Sequence, residues 1–352
     1  MPTSESSHSH AAIPPAVAHA ARQWGGDHVR VDLLAGDAST RLYFRVTSGG
    51  APGQLRDAAV KTVIIALHDS SFHGVEFPFL ETTDLFMAAG VPVPCILSRQ
   101  PAAGILILED LGDRLLQQVL MKEAPARVVT TLYRQAVDHI VRLQQHGTPR
   151  LNPALQAGRL ALDAEHFRFE LDYFFTHVVL NLHGMKPTDR QREAVEAAFQ
   201  RLCTRLDREP RVLCHRDYHT RNLLVTGDGR LVAIDHQDAR RGPDTYDLAS
   251  LLYDPYVDFQ AALAHECIRQ FRQARDRKEP AAVFGERLDA VAAQRLLKAA
   301  GTFAAQKVLH GRSSYLAYLP AALARARAAL ARHDTHGDLL AALTPLLPEW
   351  LD

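Results

Sequence analysis

The chain is short of several things, and each absence removes a class of function. It has four cysteines, Cys95, Cys203, Cys214 and Cys267, too far apart for a C-x-x-C pair. That spacing argues against a zinc ribbon, a redox dithiol or a disulfide scaffold and predicts buried thiols in a reducing compartment. There is no charge excess of either sign, since Lys plus Arg and Asp plus Glu each number 40. A nucleic-acid or anionic-membrane footprint is therefore not expected. No apolar run reaches the roughly 20 residues of a membrane span. The opening MPTSESSHSH lacks the basic-then-apolar order of a signal peptide, and the expected location is the cytoplasm. No internal repeat or obligate protein-partner signal stands out.

What is present is enough for two lobes: 352 residues, 47% of them apolar. Residues 1–12 are polar and expected to be disordered. Pro15 to Trp24 has helical spacing and stops at Gly25 and Gly26. Two alternating runs on either side of AGDAST, followed by the β-branched AAVKTVIIAL (58–67), predict an antiparallel meander. FPFLETTDLFMAA (77–89) reads as a helix stopped by Gly90, and VPVPCIL (91–97) and GILILEDLG (104–112) read as two more strands. Beyond Leu115 helical patterns dominate, including 127–145 and 166–183, with short strands only in 211–235. The Ala/Arg-rich AALARARAALARH (321–333) predicts an ordinary solvent-facing helix.

Chemistry concentrates in VLCHRDYHTRNLLVTGDGRLVAIDHQDARRGPDTYDLASLL (212–252). LLV and LVAI flank the turn TGDGR, so the segment predicts a hairpin. A turn centred near Asp228 sets Asn222 almost opposite Ile234 and Asp235, with Asp217 in the loop leading in. Mg²⁺ prefers hard oxygen ligands and is commonly held by one or two carboxylates while phosphates and water complete its octahedron, which an Asn and an Asp suit. A third acid outside the metal shell can orient an attacking hydroxyl or take its proton. HRDYHTRN matches H-R-D-x-x-x-x-N, the catalytic-loop pattern of protein kinases. His215 reads as a buried scaffold histidine and His219 as either a substrate contact or loop packing. Asp247 reads as structural, at the start of a helix whose free amides it would meet.

With these residues in view, the chain resembles the aminoglycoside phosphotransferase family, two-lobed relatives of the protein kinases. Further stretches resemble the bacterial cell-wall sugar kinases that phosphorylate the anomeric hydroxyl of N-acetylmuramate and N-acetylglucosamine: GDASTRLYFRV (36–46), FLETTDLFMAAGVPVP (79–94), LILEDLG (106–112), QDARRGPDTYDLASLLYD (237–254) and RLLKAAGTFAAQKVLHGRSSYLAYLP (295–320). The resemblance implies an α+β, protein-kinase-like fold: a small antiparallel-sheet N-lobe over 1–110 that binds nucleotide, and a larger mainly helical C-lobe over 111–352 that binds substrate and carries catalysis. It implies ATP and Mg²⁺, with Asp217 catalytic and Asn222 and Asp235 on the metal. Gly36, Asp37, Ser39 and Arg41 would contact the nucleotide phosphates, and the backbone of Glu109 and Leu111 the adenine. His219 and Arg240 are candidate contacts to a small amino-sugar substrate.

One departure stands out. Kinases carry a lysine in the third strand, paired with phosphates and a helix Glu. VIIAL (63–67) has none, and Lys61 lies at the strand's beginning. Either a slipped register turns Lys61 inward or Arg41 supplies the charge. Two other functions stay open at this point: a kinase for another hydroxyl compound such as an aminoglycoside, and a nucleotide-binding regulator without turnover. An aminoglycoside is a polycation and calls for an acidic pocket, whereas Arg240 and Arg241 would suit the N-acetylmuramate carboxylate.

Overall fold

The structure, a computed structural model, describes residues 13–34, 41–49, 61–72, 77–122, 124–258 and 260–351. The expectation of disorder for 1–12 lies outside them. The chain divides into two compact units, Met1–Phe77 with Pro94–Gly112 and Pro78–Val93 with Asp113–Asp352.

The first unit is an antiparallel sheet with one helix. The strands β1 (Val29–Leu33), β2 (Leu42–Ser48), β3 (Lys61–Leu67), β4 (Ile96–Gln100) and β5 (Ile105–Glu109) lie in the order β1-β2-β3-β5-β4. The expected meander is β1-β2-β3. Helix α1 (Pro15–Gly25) begins with proline, whose fixed φ suits the first helical position, and ends at Gly26 with φ 79°. Its Val17, Ala20 and Ala21 pack on one face of the sheet, made by Phe44, Val46, Val63, Ile65, Ile105 and Ile107. The period-two alternation of β2 and β3 sets this face. On β2, Arg45 grips Asp110 with two hydrogen bonds of 2.7 and 2.9 Å. The strand expected over 91–97 begins only at Ile96, because Pro92 and Pro94 have no N–H to give a ladder.

The second unit is mainly helical. Its helices are α2 (Pro78–Ala88), α3 (Leu116–Met121), α4 (Ala126–Arg142), α5 (Gln156–Arg159), α6 (Ala164–Phe174), α7 (Asp189–Asp207), α8 (Tyr246–Leu252), α9 (Ala261–Ala274), α10 (Ala281–His310), α11 (Leu319–Ala331) and α12 (Gly337–Leu343). Two helical stretches expected as continuous change pitch instead. Helix α4 runs into a wider π turn over Leu143–Gly147, and α6 into one over Phe175–Leu182. Strand β6 (Arg211–Cys214) pairs with β9 (Arg240–Pro243), and β7 (Leu223–Val225) pairs with β8 (Leu231–Ala233) as the expected hairpin. Helix α10 is buried along much of its length, and residues on nearly every side of it pack into the core, as expected of a central helix. It crosses α6 closely at Gly301: a Cβ there would lie 2.8 Å from the Phe174 Cα.

Two expectations need correction. The 321–333 segment is not a solvent-facing helix. Ala322, Leu323, Ala326, Ala329 and Leu330 are buried, a stripe at helical spacing that the interleaved arginines obscure. Arg325 is half-buried and donates to Val257 O (2.8 Å), and the exposed Arg332 reaches back to the buried Asp289 (2.8 Å). Of the four thiols, Cys95 is exposed, beside β4 where the two prolines keep the chain out of the sheet, while the other three are buried. No helix among the described residues is long and apolar enough to cross a membrane.

Candidate active site

The loop His215–Asn222 leaves β6 and returns through a 3₁₀ turn, Thr220–Asn222, into β7. Arg216 in this loop (φ 83°) and Asp235 after β8 (φ 59°) are non-glycine residues in the left-handed region, a conformation that costs energy and persists only where surroundings impose it. The surroundings do so. Asp247 of α8, fully buried, accepts the backbone amides of His215 (2.7 Å) and Arg216 (3.0 Å). Its structural role is as expected, but its amides belong to the loop rather than to its own helix. His215 is buried and donates from Nε2 to Ile234 O (3.0 Å), tying the loop to the residue before Asp235. Asp254 takes both the amide (2.8 Å) and the hydroxyl (2.6 Å) of Thr220, and Tyr218 donates to Ala136 O (3.1 Å).

This loop and the hairpin gather Asp217, Asn222 and Asp235. The Ile234 amide donates to Asn222 O (3.0 Å), so Asn222 faces the start of the Asp235 turn. Asn222 Nδ2 donates to Asp217 O (2.9 Å), which leaves its Oδ1 as an acceptor. Asp235 is exposed and receives a hydrogen bond from Gln237 Nε2 (2.7 Å). Among the described residues no group of three or more His, Cys, Asp or Glu side chains is placed to hold a metal. One amide oxygen and one carboxylate suit Mg²⁺ whose remaining ligands are phosphate and water.

The largest charge beside Asp217 comes from α10, whose Lys298 and Arg295 the sequence reading gave no role. Lys298 Nζ of α10 lies 2.8 Å from Asp217 Oδ1, and Arg295 Nη2 lies 4.0 Å away. Burial acts to raise the Asp217 pKa, but Lys298, Arg216, Arg295 and His219 outweigh it and hold the carboxyl well below its usual range. Arg295 also donates to Arg216 O (2.5 Å) and stacks over the Tyr246 ring at 4.5 Å. Behind Lys298 sits Glu170 of α6, its Oε1 3.9 Å from Nζ and its Oε2 receiving Gln294 Nε2 at 2.8 Å. Burial again opposes ionisation, and Lys298, His166 and Gln294 overcome it, bringing Glu170 down to about 2. A signal existed in the sequence: Arg295 and Lys298 are two cations one turn apart within an apolar helix.

His219 and Arg240 occupy different settings. His219 packs edge-on against Tyr256 (5.2 Å), which also meets Phe303 and Tyr318, and burial lowers the pKa of its imidazole. Its Nδ1 is buried without a partner among the described residues. Arg240 is buried and turned onto its own β9 approach, donating from Nε to Asp238 O (3.0 Å). Arg241 similarly spends Nη2 on Arg159 O (3.4 Å).

In the sheet unit, Gly36, Asp37 and Ser39 lie outside the described residues, and Arg41 directly precedes β2. The Glu109 amide donates to Cys95 O (2.9 Å), while Leu111 follows just beyond β5. The register pairs Lys61 with Ser48 and leaves it exposed, so no slip turns it inward. It shares the side of Val63 and Ile65, the face that α1 covers, whereas Arg45 and its partner Ile64 lie on the other.

The model of the phosphotransferase enzyme family matches residues 30–283. A protein of Neisseria meningitidis named N-acetylmuramate/N-acetylglucosamine kinase is 29% identical over 90% of this chain and 90% of its own. One of the same name from Pseudomonas aeruginosa is 30% identical over 87% and 86%. Among solved structures, a choline/ethanolamine kinase family protein from Mesorhizobium loti superposes with a TM-score of 0.56 at 17% identity, covering 89% of this chain and 92% of its own. A Plasmodium vivax ethanolamine kinase reaches 0.59 at 13% identity, covering 86% and 83%. These two share the kinase-like fold.

Proposed function

We propose, on the premise that this chain belongs to the phosphotransferase enzyme family and is a phosphotransferase acting on a hydroxyl group, that it carries the γ-phosphate of ATP to the anomeric hydroxyl of N-acetylmuramate and N-acetylglucosamine. The amino-sugar acceptor is supported by the near end-to-end likeness to proteins named for those sugars. The charge around Asp217 agrees with it: Lys298, Arg216 and Arg295 line that side, an unfavourable surface for a polycationic aminoglycoside and a favourable one for a neutral or anionic sugar. The setting is the cytoplasm, where ATP is available, and the place in metabolism is peptidoglycan recycling.

Asp217 is the group that meets the acceptor hydroxyl. Held well below the usual carboxylate range, it stays ionised and orients the hydroxyl, taking its proton late as the bond to phosphorus forms. This suits a loose transition state that needs positioning and charge stabilisation more than a strong base. Asn222 Oδ1 and the Asp235 carboxylate would hold Mg²⁺, which would supply positive charge to offset that of the phosphate groups. The nucleotide phosphates fall to Gly36, Asp37, Ser39 and Arg41, the adenine to the backbone of Glu109 and Leu111. His219, two residues from Asp217 and backed by Tyr256, and Arg240 belong to the acceptor side.

The test is the product. Incubation with ATP, Mg²⁺ and each sugar, followed by phosphorus NMR, should show a sugar 1-phosphate. Phosphate at C6 would refute the anomeric assignment. Transfer to neither sugar, with transfer to another hydroxyl compound, would refute the amino-sugar assignment.

A further inference from the structure

Resting on that reading of Asp217, we propose that Lys298 is a positioning residue for the transfer: it holds Asp217 Oδ1 and leaves Oδ2 to face the acceptor hydroxyl. A lone aspartate can turn about its last side-chain bond and exchange its two oxygens. Asp217 cannot do so freely, because Nζ of Lys298 is 2.8 Å from Oδ1. Lys298 is itself held from behind by Glu170, 3.9 Å away. Glu170 in turn is buried and anchored by Gln294 (2.8 Å) and His166 (3.2 Å). The ammonium therefore lies between two carboxylates, one fixed in the core and one at the loop.

The backbone supplies the distance. Lys298 precedes Gly301 by one turn, and Glu170 precedes Phe174 by one turn. Only a glycine lets α10 come so near α6 at that crossing, since a Cβ at 301 would lie 2.8 Å from the Phe174 Cα and 3.0 Å from its N. Side-chain exposure separates this pair from an ordinary core ion pair. Glu170 keeps 6% of its side chain exposed, Lys298 16% and Asp217 29%, so the chain of charges runs from the interior to an open end at Asp217.

The groups facing Asp217 are Lys298 and Arg295 from α10 and Arg216 and His219 from its own loop. Lys298 is the one in contact with Oδ1, at 2.8 Å, where Arg295 stands 4.0 Å away, so its removal frees the carboxylate to turn.

Four variants test the proposal: Lys298→Met, Lys298→Arg, the double variant Lys298→Met with Glu170→Gln, and Asp217→Asn. The double variant leaves no uncompensated carboxylate in the core, so it separates the loss of positioning from the loss of stability that the single change brings. Each is measured for kcat, both KM values, ADP binding and Tm. The expected result for both Met-containing variants is a kcat loss of about 10²-fold, as for a misplaced catalytic group. ADP affinity and the KM for ATP should stay within about threefold. Lys298→Arg should recover most of kcat. Wild-type kcat in the double variant, with Asp217→Asn inactive, would overturn the role of Lys298 and leave the function standing. A loss confined to Tm or to the KM for ATP would overturn it equally. Full transfer by Asp217→Asn would instead remove the catalytic assignment on which it rests.

Discussion

Asp247 accepts the backbone amide of Arg216 at 3.0 Å, and Arg216 holds a left-handed φ of 83°. A fully buried carboxylate thus fixes a strained backbone one residue before Asp217. Its other oxygen takes the His215 amide. An asparagine offers one oxygen and turns an NH₂ toward the second amide. Asp247→Asn should therefore cost about 1–3 kcal/mol of stability for the unsatisfied donor. The kcat should fall more than the ATP KM changes, which urea unfolding and steady-state kinetics would check.

Asp235→Ala should abolish turnover even at saturating magnesium, because Asp235 is the one carboxylate of the proposed metal pair. Retention of wild-type rates in a coupled ADP assay would take it out of that pair.

Lys61 lies on the α1-covered side of the sheet and is exposed, so Lys61→Ala should leave the ATP KM within about twofold, as for an ordinary surface change. Arg41→Ala should raise it by about tenfold or more, the loss of a charge-assisted contact to phosphate. A large effect confined to Lys61→Ala would restore the usual strand-lysine arrangement.

Glu170 titrates near 2 in the fold, against 4.5 unperturbed. A depressed carboxylate stabilises the fold above its unfolded pKa and loses that contribution as pH falls through the folded one. The window is therefore from about 4.5 down to about 2. The shift corresponds to about 3 kcal/mol. Glu170→Gln should flatten this part of the stability curve, followed by urea midpoints at stepped pH. An unchanged slope would mean that Glu170 is not ionised beside Lys298.

Gly301→Ala pushes a methyl against the Phe174 backbone. The helices must part, at a cost of about 1–3 kcal/mol as for other overpacked sites, and kcat should fall as Lys298 draws away from Asp217. Wild-type kcat with a lowered Tm would show that the crossing serves packing alone.

The helix at 15–25, the sheet strands and the Asn222/Asp235 hairpin were legible because each is written in local pattern: proline then glycine at helix ends, period-two alternation, and a glycine turn between β-branched runs. Asp217 was legible from a fixed spacing within one loop. The buried stripe of α11 was hidden by arginines whose charges suggest solvent, although Arg325 and Arg332 bend onto Val257 and Asp289. The exposure of Cys95 was hidden because residue type alone favours burial for cysteine.

The loop and the hairpin were set locally in the chain, since backbone periodicity, turn chemistry and short spacings act over a few residues, and the kinase-like class came from the family resemblance that the H-R-D-x-x-x-x-N spacing carries. Packing across the chain is what turns Asp247 to the Arg216 amide rather than to its own helix, and what brings Lys298 and Glu170 together beside Asp217. Residues 170, 217 and 298 lie far apart along the chain, and no local rule joins them. They come together because α10 can approach α6 at Gly301, a property of two packed helix faces that neither helix carries alone.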